Sequence, residues 1–283
     1  MSAGGAQTRW LDAVLELLIG CIKIGLGCKN CLACASLVRK GHPSGYVYPS
    51  PPADWEKIRT LKSGMLVAAC MSSDMFLAQA ERWWQKMHDH LLLRPDVAFL
   101  ALTRRLTQAA KFVDLFGPLP NLLLGTSVEN QRTLDENVPL LYSIPAIGYI
   151  LSLQPLLGPV DLSKYLDHKG LLKVVAGAEM GLGARPCETA WIRQIEAQCQ
   201  AHGVPYFLGQ YLDEHGEYVK PPGPRGSHEK SRPSYHLRRT ATTKIIGREM
   251  GMPELLRAHV IHGLGTEAPN PAKMRHDDSE RAA

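Results

Sequence analysis

Short, continuously apolar runs alternate with amphipathic stretches along most of the chain. Residues 65–70, 97–102, 122–125, 147–153, 171–176 and 204–208 are such runs, and several end in polar residues. Runs of that length bounded by polar clusters fit strands buried on both faces. Between them, residues 78–93, 131–142 and 189–202, and a stretch reaching Phe112, carry helix-forming composition. Alternation of this kind predicts βαβ units and a parallel sheet. Six strands are expected, or seven if the segment leading to Cys21 is also a strand. The spacing is irregular, so these are βαβ units without a true sequence repeat.

The polar ends are Ser72–Ser73–Asp74, Thr103–Arg104–Arg105, residues 126–130, Gln154 and Gly177–Ala178–Glu179. They fall where each strand finishes, the edge on which parallel α/β folds build their sites. The fold class expected is therefore α/β, as a TIM-like, partial (β/α)6 barrel in preference to an open doubly wound sheet. Residues 31–40 predict a short helix closed by Gly41 and Pro43, and the proline-rich residues 46–54 predict a loop. Past Tyr211 the rhythm stops. Asp213–Glu214–His215–Gly216 reads as a hairpin turn, followed by a basic extension. The expected division is a barrel with its cysteine loop over 1–212, a basic C-terminal extension over 213–262 and a disordered tail over 263–283.

Composition adds three things. The 283 residues are 45% hydrophobic and include five Trp, enough for a substantial core. The net charge of +5 is concentrated late: residues 220–248 hold eight Lys or Arg against Glu229 alone. A segment of that kind suits a polyanion, so nucleic acid is one expected partner and another protein is a second. The apolar stretch 11–24 is interrupted by Asp12, Glu16 and Lys23 and is too short to span a bilayer. No membrane association is expected, and with no secretory route the expected location is the cytoplasm, where thiols stay reduced.

Four of the seven cysteines, Cys21, Cys28, Cys31 and Cys34, lie within fourteen residues as C-x6-C-x2-C-x2-C, among Gly20, Gly25 and Gly27. Clustered thiolates select soft metals. Four-thiolate zinc is one reading. A second is a cluster held by four thiolates, although no cysteine occupies position 38, where a ferredoxin-like run would continue. The third is a three-thiolate [4Fe-4S] cluster that leaves one iron open for S-adenosylmethionine. Asp74, Glu129 and Glu179 at strand ends are candidates for binding the cofactor's amino and ribose groups. Arg104 and Arg105 are candidates for holding a carboxylate or phosphate of the substrate through the guanidinium fork. Cys70 and Cys199 read as buried apolar residues, and Trp83 and Trp84 as packing of a helix on the barrel.

Several blocks in one order carry a resemblance: Trp10 and Asp12; Gly20–Cys21 with Gly27–Cys28–Lys29–Asn30–Cys31; Ser72–Ser73–Asp74; Thr103–Arg104–Arg105; Gly125 through Gln131; Pro155 through Asp161; and Gly177–Ala178–Glu179 with Ala184–Arg185. From about Trp10 to Tyr218 the chain resembles the phage- and mobile-element-associated three-Cys-motif proteins, an uncharacterised family similar to radical S-adenosylmethionine enzymes. The resemblance implies a partial barrel of the radical-S-adenosylmethionine type. It implies Cys21, Cys28 and Cys31 as cluster ligands; Asp74, Glu129, Asn130, Gly177 and Glu179 are the candidate cofactor-binding residues on the strand-end edge. The chain departs from that pattern at Leu32, Gln154, Ala178 and Gly209, and carries Cys34 where the family has an acid. A fourth thiolate in reach of the iron that S-adenosylmethionine needs would turn an enzyme into a metal-stapled binding module.

Overall fold

In the computed structural model of the chain, residues 10–181, 183–209, 211–212 and 218–219 are described. Seven parallel strands form one sheet: β1 (Ala13–Leu15), β2 (Leu66–Ala69), β3 (Ala98–Thr103), β4 (Leu122–Ser127), β5 (Tyr149–Leu153), β6 (Leu171–Ala176) and β7 (Tyr206–Leu208). Each strand pairs with the next in the chain, from β1 through to β7, so the order never reverses. Right-handed crossovers without a reversal put every connecting helix on the same face. The sheet curls into a half-barrel, and the segment leading to Cys21 does supply its first strand.

Alternation along the strands separates two apolar layers. Val67, Phe99, Ala101, Leu124, Leu151 and Val174 face the helices and join the main core with Trp84, Phe112, Leu134 and Ile195. Leu66, Ala98, Leu100, Leu123, Ile150 and Val175 form a second cluster that includes no helical residue. Trp10, Leu11 and Phe207 pack against this inner layer. The main helices are α3 (Trp84–Leu92), α4 (Leu106–Phe116), α5 (Gln131–Ser143) and α7 (Thr189–Ala201). Trp84 is fully buried and its indole N–H donates to the Met75 carbonyl at 3.0 Å, which fixes the helix that it starts.

Between β1 and β2 the chain makes the cysteine loop, α1 (Leu32–Arg39) and α2 (Pro52–Glu56). The proline-rich residues are more ordered than their composition suggests. Tyr48–Pro49 pairs antiparallel with Leu18–Ile19, and Pro52 opens α2 from its first turn. A single turn, α6 (Ser163–Leu166), lies in the β5–β6 connection, where the chain shows no periodic signal. After β7, Tyr211–Leu212 pairs antiparallel with Tyr218–Val219, consistent with the expected hairpin, although its turn lies outside the described residues. The basic stretch 220–248, with the rest of the extension beyond Val219, and the tail 263–283 also lie outside them. Among the described residues no helix is long and apolar enough to cross a membrane.

Candidate functional site

The cysteine loop leaves β1 at the carboxyl edge of the sheet, is hydrogen-bonded to the ends of three other strands and packs against the end of a fourth. The Glu16 carboxylate accepts from the Ser72 backbone N–H at 2.9 Å after β2, and burial raises its pKa. The Ser73 hydroxyl donates to the Gly20 carbonyl. After β3, Arg105 donates to the Ile22 carbonyl. After β6, Arg185 donates to the Leu26 carbonyl at 2.9 Å and Asn30 donates to Glu179 at 2.8 Å. Gly27 is buried against the Arg104 and Glu129 side chains, where a Cβ would collide with both. Gly20 has φ +92° and backs onto the Tyr46 carbonyl, so two glycines admit the close approach.

Beneath the loop, three carboxylates are each matched to an arginine. Asp74 accepts from Thr103 Oγ1 at 2.9 Å, from the Phe76 backbone N–H at 2.9 Å and from Arg105 at 2.7 Å. Glu129 forms an ion pair with Arg104. Glu179 accepts from Arg185 Nε at 2.8 Å and from the Arg185 backbone N–H at 3.0 Å. The Arg185 hydrogen bond holds the Glu179 pKa down at about 2, against the opposing effect of burial. Burial also pulls the Arg104 pKa down, opposed by the charges of Cys28, Cys31 and Asp74. All three acids are buried, a costly placement that these partners offset.

The thiols sit above this layer. The neighbouring Cys34 thiol lowers the Cys21 pKa and brings Cys31 to about 6, while these neighbours and burial raise Cys34 itself. Cys28 ends the 3-10 turn Leu26–Cys28, and Cys31 is the N-cap residue of α1. Among the described residues no three His, Cys, Asp or Glu side chains stand in the geometry of a ready-made metal site. The donor set is nonetheless the soft one that iron–sulfur clusters and zinc select. The residues present therefore fit such a group by the chemistry of their donors.

The expected site residues are thus gathered on one edge, but several are occupied. Arg104 and Arg105 pair with Glu129 and Asp74 inside the protein. The Asn130 side chain accepts from the Thr133 backbone N–H at 3.1 Å and closes a capping box at the start of α5. Gly177 takes part in backbone pairing with Leu153 and Leu156, and Gly181 and Gly183 have positive φ in the loop that follows. Among the described residues after β6 no helix begins before Thr189, so this glycine loop lacks the helix start of a phosphate loop. Cys70 and Cys199 are buried as expected, at 1% and 0% exposure.

Sequence reasoning assigned no role to five participants. Asn30 and Arg185 bracket Glu179, and Glu16 fastens the loop to β2. Ser127 and Ser152, aligned in register on β4 and β5, are buried on the concave side near Gln154. Arg185 follows Glu179 by six residues, and an acid and a base flanking a glycine loop were the available signal. The serines could be found only from strand register.

Fold and site together define a parallel α/β half-barrel with a thiol-rich loop clamped on its carboxyl edge. The chain belongs to the family described as protein of unknown function (DUF5131), whose pattern matches residues 5–251. No curated protein matches it.

Proposed function

We propose that this protein is an iron–sulfur protein of the radical-S-adenosylmethionine-like kind, related to the mobile-element-associated three-Cys-motif proteins and working in the cytoplasm. Its ligands are Cys21, Cys28 and Cys31. One observation carries the reading: the cysteine loop sits on the carboxyl edge of the half-barrel, directly over Asp74, Glu129 and Glu179. When bound, a [4Fe-4S] cluster with one open iron supplies the electron that cleaves the sulfonium of S-adenosylmethionine.

The chain's own residues have separate tasks. Glu179 remains ionised at neutral pH under Arg185 and offers a fixed negative charge to an ammonium group of the cofactor. Asp74 and Glu129 line the same cofactor edge, each held by its arginine, and Arg105 and Arg104 are the groups assigned to an anionic substrate. Asn130 and Gly177 shape the edge through the backbone. A nucleic acid is the proposed substrate class, reached through the basic stretch 220–248.

A second reading is favoured by Cys34, whose pKa is raised by its neighbours Cys21 and Cys31. In this reading all four thiolates close the site around zinc or a fully ligated cluster, and the protein is a non-catalytic module binding nucleic acid or protein. Anaerobic reconstitution with iron and sulfide separates the two. Iron and sulfide in near-stoichiometric amounts, and 5′-deoxyadenosine released on reduction with S-adenosylmethionine, support the first. Zinc alone, or a cluster that yields no 5′-deoxyadenosine until Cys34 is replaced by Ser or Ala, supports the second.

A further inference from the structure

Ser127 ends β4 and lies opposite Ser152 on β5, and the same row continues through Val175 on β6 to Phe207 on β7. Val175 belongs to the inner apolar cluster, and the partly buried Phe207 packs against it. Ser152 follows Ile150 of that cluster by two residues, and Ser127 follows Leu123 by four. Alternation therefore turns both hydroxyls to the concave face. Ser127 is 7% and Ser152 2% exposed, and among the described residues neither hydroxyl makes a hydrogen bond.

Gln154 follows Ser152 on the same face, about 7 Å nearer the carboxyl edge. Its Nε2 is buried and has no hydrogen-bond partner. It occupies the space beside Gly209, where a Cβ would collide with it. Gly209 cannot move aside freely, because its N–H donates to the Ala176 carbonyl at 2.6 Å. The row thus combines an apolar wall with three uncommitted polar groups. Buried donors and acceptors without partners are destabilising, and folded proteins leave few of them. None of the three takes part in the pairings that hold the cysteine loop, so the loop's own architecture does not account for them.

We infer that this row is a pocket for the base of a nucleotide substrate. Val175 and Phe207 offer apolar surface to a planar ring. The Gln154 amide donates to a ring carbonyl or ring nitrogen, and the two hydroxyls, each able to donate or accept, take the groups that remain. Ser127, Ser152, Gln154, Val175, Phe207 and Gly209 carry no charge, so a neutral ring suits them and a phosphate or an ammonium does not. An alkyl group would leave all three polar groups unpaired. The pocket rests on the nucleic-acid reading above for its substrate class, and it requires no metal.

The test uses the full-length protein with cytidine, uridine, adenosine and guanosine as probes, followed by equilibrium dialysis. At least one nucleoside is expected to bind saturably and to resist displacement by ribose. Ser152→Ala and Gln154→Leu should each weaken that binding about fivefold, the usual effect of losing one hydrogen bond. Gly209→Ala, which drives the amide from its place, should weaken it at least as much. Thermal unfolding identifies any variant with a damaged fold, and Ser127→Ala then serves in its stead with the same expected loss. No nucleoside binding, or binding unchanged in both Ser152→Ala and Gln154→Leu, overturns the pocket and leaves the polar groups to water. Displacement by ribose assigns the site to a sugar and also overturns it. Displacement by S-adenosylmethionine assigns it to the cofactor's adenine and overturns it as a substrate pocket. Nucleoside binding in a protein that retains no single-stranded DNA or RNA supports the pocket and overturns the nucleic-acid reading instead.

Discussion

Arg105 donates to Asp74 at 2.7 Å with one guanidinium nitrogen and to the Ile22 carbonyl with the other, so a single side chain locks the cysteine loop to the end of β3. Removing it leaves Asp74 buried and without its counter-charge. Arg105→Ala is expected to lower the unfolding free energy by about 3–5 kcal/mol in urea titration, the usual cost of breaking a buried pair from one side. Arg105→Gln combined with Asp74→Asn should recover part of that loss, because no unpaired charge remains.

Glu179 contributes a defined acid sensitivity. Its carboxyl titrates near 4.5 in an unfolded chain and at about 2 beside Arg185. The depressed folded value means that the stabilisation is complete above about 4.5 and disappears as pH falls toward 2. Denaturant midpoints of the parent should therefore drop over that interval. Glu179→Gln should be less stable at neutral pH and show a flatter acid profile over the same interval.

Two glycines of the loop should respond differently to alanine. Gly20 combines φ +92° with a carbonyl in the way, whereas Gly25 has φ +63° and open space where a Cβ would go. Gly25→Ala is expected to cost about 1 kcal/mol from backbone strain alone. Gly20→Ala should cost substantially more and loosen residues 20–31, which thermal unfolding and limited proteolysis would reveal.

Asn130 is both a cap and a member of the proposed cofactor edge. As a cap, Asn130→Ala costs about 1 kcal/mol. Asn130→Ser keeps much of the capping and should restore stability. If S-adenosylmethionine affinity, measured by equilibrium dialysis, tracks stability across the two variants, the residue acts by starting α5. If affinity falls in both, its side chain meets the cofactor.

Metal loading should be visible in α1. Because the helix buries no side chain, its amides are expected to exchange rapidly in metal-free protein. Ligation of Cys31, its N-cap residue, should slow exchange through Ala35 and beyond, while α4 and α5 are unchanged. Hydrogen-exchange mass spectrometry of the two forms checks this directly.

The sequence by itself determined the parallel α/β plan. The run Leu171–Ala176 coincides with a strand from end to end, interrupted only by the half-buried Lys173, because a strand packed on both faces must be apolar over most of its length. The carboxyl-edge position of Asp74, Glu129 and Glu179 followed from the same pattern, since a strand's polar end marks where it leaves the core. The 3-residue β1 was legible only as an alternative, because Leu15 is the one buried residue in it and its place is fixed by pairing with β2. The turn α6 left no signal, four residues being too few to display a helical period. Tertiary structure alone decided how the acids are spent. Pairings such as Asp74 with Arg105 and Asn30 with Glu179 join residues far apart in the chain. They arise because buried carboxylates require counter-charges that only neighbouring strand ends and the folded-back cysteine loop can supply.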